Sequence, residues 1–190
     1  MKLNNKGIGL IEVLAAAMII SIVFVSIINN ILDMHEMNLK NQRRNTAYNL
    51  ALEVYHHIGA TGTFTFENDI TPLNLVAYYD LDNCSIPNGT GSLQKILNED
   101  TCIAMMNQTI DGYEYKNEDV IFYVYTQDQT TMNEIINNPK YNAHPLLKAR
   151  AQEVIANSNY NSNSIFRISI IVEYGEEDNY AFILNGFLRR

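Results

Sequence analysis

Glu12 is the side chain whose position most needs a chemical reason. It is the only charged residue in a 21-residue apolar run, Ile8–Ile28 (IGLIEVLAAAMIISIVFVSII). A helix rises 1.5 Å per residue, so this run spans about 31 Å, the depth of a bilayer core. A carboxylate one turn inside such a segment is costly and marks a functional position by default. Two arrangements relieve the cost. Near the membrane edge Glu12 could snorkel to the interface or take up a proton. Alternatively it could meet a cation. Cleavage after Gly7 would create one, the new amino group of Ile8, four residues back on the same helical face. That amine could be its own or, in a packed bundle, a neighbour's.

The remaining reactive side chains suggest no enzyme. His35, His56, His57 and His144 have no paired-ligand spacing, and His56 and His57, adjacent on a helix, point about 100° apart. Asp80-Leu81-Asp82-Asn83 begins like a calcium loop but lacks the glycine and terminal glutamate of an EF-hand. Gly89 and Gly91 lack the context of a phosphate loop, and no G-x-S-x-G elbow occurs. No catalytic residue, metal ligand set or cofactor is therefore expected. Asn83, Asn88 and Asn107 each open an N-x-[ST] sequence, a weak glycosylation signal. Cys84 and Cys102 lie outside any C-x-x-C pattern. They could form a disulfide in an oxidising compartment, worth about 3 kcal/mol by loop closure, or stay as two free buried thiols.

The formal net charge is −8, and loss of Lys2 and Lys6 with the first seven residues would make it two units more negative. Such acidity keeps an exposed domain soluble and disfavours nucleic acid, which needs clustered Lys and Arg, though a local basic patch remains compatible with it.

The elements that must position Glu12 begin with the apolar helix itself. Lys2 and Lys6 precede it and favour a cytoplasmic N-terminus. A cleavable secretory signal would end its apolar region at a small-x-small site, whereas this run ends in Ile27-Ile28-Asn29-Asn30-Ile31-Leu32. An ordinary signal anchor fits the length equally well. Lys6-Gly7-Ile8-Gly9-Leu10-Ile11-Glu12-Val13 resembles the prepilin peptidase motif of type IV pilins and related pseudopilins. Two positions depart from the family pattern: Ile8 replaces the common Phe, and Gly9 the common Thr. The resemblance covers roughly the first thirty residues. It implies cleavage between Gly7 and Ile8, N-methylation of Ile8, and pairing of Glu12 with the terminal amine of an adjoining subunit.

Beyond the apolar run the helix is expected to continue. Residues 33–46 are polar, and Ala47, Leu50, Ala51, Val54 and Ile58 then recur at spacings of three or four. Gly59 is the expected C-cap. Residues 60–107 read as irregular, with a short strand within Leu73–Leu81. Val120–Tyr125 reads as a strand with both faces covered or with one aromatic outer face. In Ile165–Tyr174 the alternation is half-buried, with Arg167, Ser169 and Glu173 on the outer face. Gly175–Asp178 is the turn to a last strand bearing Tyr180, Phe182 and Leu184. Gly112–Lys116 is a candidate edge strand. Thr131–Glu134 reads as a capping box, and Pro145 as the start of a second short helix.

The expected fold class is α+β and pilin-like, a long N-terminal helix packed on a C-terminal antiparallel sheet. The expected segments are a leader (1–7), a membrane and filament-core helix (8–32), its continuation (33–59) and a globular head (60–190). The resemblance implies a structural subunit of a type IV pilus or related filament. Its implied partners are a prepilin peptidase, other major and minor pilins, and an assembly platform with its motor. The subunit would cross the cell membrane once, N-terminus inside, before entering a pilus or reaching the cell surface. The loop-rich region 60–160 points to a minor pilin. The alternatives are a pseudopilin of a competence or type II secretion system, and an anchored binding domain that never polymerises.

Overall fold

The computed structural model describes residues 6–61, 66–87, 90–110, 113–116, 119–158, 165–174 and 180–189, the side chains of 6–8, 60, 61 and 189 excepted. The chain divides into two compact units, Met1–Gln42 and Arg43–Arg190. The leader residues Met1–Asn5 and the expected turn Gly175–Asp178 lie outside the described residues.

One helix, α1 (Lys6–Thr61), contributes to both units. In the first unit, every described residue of α1 is exposed. In the second, Ala47, Leu50, Ala51, Val54 and Ile58 are each at most 1% exposed, the stripe that their spacing predicts. The helix runs two residues past Gly59. Docking of Ile58 carries this last turn, enough to tolerate the roughly 1 kcal/mol that glycine costs a helix interior.

The sheet of the second unit has four antiparallel strands in the order β1 (Val76–Tyr79), β4 (Val120–Thr126), β5 (Ile165–Glu173) and β6 (Ala181–Arg189). Between β1 and β4 lie α2 (Glu99–Met106) and a separate two-stranded ribbon, β2 (Thr109–Ile110) with β3 (Tyr113–Glu114). The expected edge strand near Tyr113 thus pairs locally and does not extend the main sheet. Helices α3 (Gln129–Asn137) and α4 (Pro145–Ala156) connect β4 to β5.

The sheet has two apolar faces. Phe122, Val124, Ile168 and Ile170 join the α1 stripe in one core. Ile121, Tyr123 and Ile171 join Met132 and Ile135 of α3 and Leu147 and Val154 of α4 in the other. This settles β4, whose two faces are both covered, and corrects β5. Its second face is not solvated along its length, since Ser169 is fully buried and Ile171 nearly so. The helical layer is assembled from residues distant in sequence, which strand periodicity cannot register. Ser169 is accommodated because its hydroxyl meets Tyr125 Oη at 2.8 Å and donates to Asn185 Oδ1 at 2.6 Å.

The capping box expected at Thr131 is also corrected. Asp128 is the N-cap of α3, and its Oδ1 accepts the Thr131 N–H at 2.9 Å. Thr131 is buried inside the first turn, and its hydroxyl donates to Asp128 Oδ2 at 2.9 Å. Pro145 does open α4 at its first turn, where a missing N–H costs nothing. Helix α2 arises in the stretch read as irregular. Its signal was Asn98, whose Oδ1 accepts the Thr101 N–H at 2.8 Å, ahead of Glu99 and Asp100 at the positive end of the helix dipole.

Candidate membrane and assembly segment

Leucine, isoleucine, valine and alanine dominate Gly9–Leu32 and favour a helix whose backbone groups are satisfied internally, as a lipid setting requires. The helix is long and apolar enough to cross a membrane. Its apolar side chains point outward all round: Leu10, Ile11, Ile19 and Val13, spread around the helix at about 100° per residue, are each more than 60% exposed. A surface of this kind is unstable in water and needs either lipid or other helices against it.

Two polar groups in the run turn back on their own backbone. Ser21 Oγ donates to the Ala17 carbonyl at 2.8 Å, and Asn30 Nδ2 donates to the Ser26 carbonyl at 2.9 Å. Both reduce the cost of desolvation. Glu12 lies exposed among Leu10, Ile11, Val13 and Leu14, all more than half exposed. Gly7 and Ile8 fall within α1, one turn ahead of Glu12. The spacing needed for an amine on Ile8 to sit on the Glu12 side of the helix is therefore present.

The two cysteines are joined. Cys84 and Cys102 form a disulfide with a Cα–Cα distance of 5.6 Å, both side chains fully buried. It ties the single turn Leu81–Cys84 to α2 and closes a loop over 18 positions, about 3 kcal/mol in the chain-entropy account.

The positions tested for metal chemistry have structural work. Asp80 accepts the Asp82 N–H at 3.0 Å, and its own N–H donates to Asn83 Oδ1 at 2.7 Å, a reciprocal cap on that turn. Asn83 Nδ2, the atom a glycan would take, donates to the Gly91 carbonyl at 2.8 Å. Among the described residues no group of three or more His, Cys, Asp or Glu side chains is placed to hold a metal ion. Tyr79, Tyr115, Tyr123, Tyr125, Tyr141 and Tyr174 are buried, and Tyr79 stacks on Phe122 at 4.8 Å.

The sequence reading missed one polar centre. Asp69 is 2% exposed, and its carboxylate contacts Tyr79 Oη and Lys95 Nζ through Oδ2 and accepts the Gly91 N–H at 3.0 Å through Oδ1. No motif spacing connects 69, 79, 91 and 95; only folding assembles them. Neither a family model, nor a curated protein, nor a solved structure matches this chain.

Proposed function

We propose that the chain is a minor pilin, a structural subunit that crosses the membrane as a precursor and enters a type IV filament through α1. The observation that carries this reading is Glu12, the single charge on an exposed apolar helix, placed five positions after Gly7. A plain membrane anchor gains nothing from an ionisable group there. A bundle subunit does: when apolar helices pack against each other, only one axial register lets each carboxylate meet an amine. A prepilin peptidase would cut after Gly7 and methylate Ile8, supplying that amine. A platform and motor would extract the subunit, and the apolar surface would exchange lipid for neighbouring helices.

Other features support the same reading. The apolar stripe Ala47–Ile58 fastens the later turns of α1 to the sheet, an arrangement compatible with a pilin-like fold. The Cys84–Cys102 bond suits an extracytoplasmic head. The α3–α4 layer over the second sheet face is an elaboration suited to a specialised subunit more than to a repeated one.

Mass spectrometry of the mature N-terminus, in cells with an active prepilin peptidase, tests the proposal. The expected terminus is N-methylated Ile8. A terminus still beginning at Met1 would defeat it in favour of a non-polymerising anchored domain. A dominant band of this chain in sheared filaments would overturn the minor assignment.

A further inference from the structure

We propose that Lys95 and Asp69 condense into an intramolecular amide bond, a second covalent tie beside the disulfide. The sequence distance is 26 positions, and nothing local brings the two groups together. The fold does so with four features that amide formation needs.

The first is proximity. Lys95 Nζ lies in direct contact with Asp69 Oδ2. Holding two reactants together is worth effective molarities on the order of 10⁵ M or more in rate. The second is a dry setting. Asp69 is 2% and Lys95 17% exposed, and Nζ stands 5.6 Å from the centre of the Phe66 ring. Phe66 packs edge-on against Tyr79 at 5.4 Å, so aromatic walls flank the pair. Such a setting excludes the water that would compete for the reacting groups and reverse the condensation.

The third is a donor for the oxyanion. Gly91 holds a backbone φ of 76°, open to glycine at little cost, and points its N–H at Asp69 Oδ1 from 3.0 Å. The fourth is a proton relay. Tyr79 Oη contacts Oδ2, the oxygen that must leave. Burial first, then the hydrogen bond to Asp69, raises the Tyr79 phenol, so it stays protonated and able to pass protons on.

The step balances without any co-reactant. A proton moves from the Lys95 ammonium to the Asp69 carboxylate. The Nζ lone pair adds to Cγ, and the charge gathers on Oδ1 against the Gly91 N–H. One Nζ proton travels through the Tyr79 hydroxyl to Oδ2. The Cγ–Oδ2 bond breaks, water departs, and Oδ1 becomes the amide carbonyl. One C–N bond replaces one C–O bond.

Trypsin reads the result directly on the full chain, purified in detergent after export and reduced before digestion. Trypsin sites flank the region at Arg44, Lys95 and Lys116, with none between. An acylated Lys95 resists cleavage, so Asn45–Lys116 is expected as one joined peptide, lighter than its linear mass by one water. Separate peptides Asn45–Lys95 and Ile96–Lys116 at full mass would overturn the proposal and leave a buried ion pair. Loss of water with cleavage after Lys95 intact would also overturn it, since that pattern marks a succinimide at Asp69. Lys95→Arg should restore cleavage at 95 and the full mass. Tyr79→Phe keeps the ring and should slow bond formation on the order of a hundredfold; an unchanged rate would overturn the relay.

Discussion

Substitution of Gly186 by alanine tests how α1 is seated on the sheet. Gly186 lies in β6, opposite Ile168 of β5, on the face that α1 covers. A Cβ built there would stand 2.2, 2.8 and 2.9 Å from three carbons of the Tyr55 ring. The ring has little room to withdraw. Its hydroxyl donates to the Phe187 carbonyl at 3.1 Å, and Ala51, Val54 and Ile58 of the same helix are locked in the core. Overpacking of this kind costs about 1–3 kcal/mol. Relief of the glycine entropy penalty offsets roughly 0.5–1 kcal/mol. Mid-range values give a net destabilisation of about 1 kcal/mol for Gly186→Ala, or a Tm lower by roughly 2–4 °C for a chain of this length. The chain has no tryptophan, so urea unfolding of the full chain in detergent is best followed by near-ultraviolet circular dichroism of its tyrosines. The decisive comparison is a cycle with Tyr55→Ala. In that background the added methyl has space, and Gly186→Ala should become neutral or stabilising, a coupling well above the ~0.5 kcal/mol of independent sites. Equal unfolding midpoints for wild type and Gly186→Ala, with Tyr55 intact, would refute this seating of the helix.

Glu12→Ala should leave the subunit inserted in the membrane but reduce its incorporation into filaments; normal incorporation, read by immunoblot of sheared filaments, would refute the register role. Cys84→Ala should lower stability by about 3 kcal/mol in urea unfolding, with reduction of the wild type doing the same. Asp128→Ala should cost about 1 kcal/mol at neutral pH through loss of the α3 cap. Partial burial pushes the Asp128 carboxyl up, but hydrogen bonds from Thr126 and from Thr130 and Thr131 outweigh it and hold it below its ordinary 3.8. Its contribution is therefore present above pH 3.8 and lost as pH falls through the lowered value, so wild type and Asp128→Ala should converge in acid. Unfolding midpoints that differ equally at pH 7 and in strong acid would contradict this assignment.

The long helix was legible from its residues because its signals are local. An apolar run of bilayer length, and the stripe Ala47–Ile58 at spacings of three and four, each report on a single element. The strands around Phe122, Ile168 and Leu184 were legible for the same reason. Element ends were less so. Gly59 looked like a stop, yet packing of Ile58 carried the helix past it. Thr131 looked like a cap, yet Asp128 lies three residues earlier and supplies two carboxylate oxygens in the required place. Helix α2 escaped notice because eight residues with mixed polarity leave little periodicity.

What the sequence by itself determined is the segment whose chemistry depends on order along the chain. Gly7, Ile8 and Glu12 lie within one and a half helical turns, so their relation follows from helix geometry alone. The apolar run likewise needs no partner from elsewhere in the chain to declare its need for lipid or other helices. Tertiary structure alone decided the rest. It covered the second face of β5 with α3 and α4, chose the disulfide over free thiols for Cys84 and Cys102, and drew Asp69, Tyr79, Gly91 and Lys95 into one dry cluster. Each of these is a contact between residues far apart in the chain. Such contacts form because burial of a whole core selects them, and no local spacing encodes that selection.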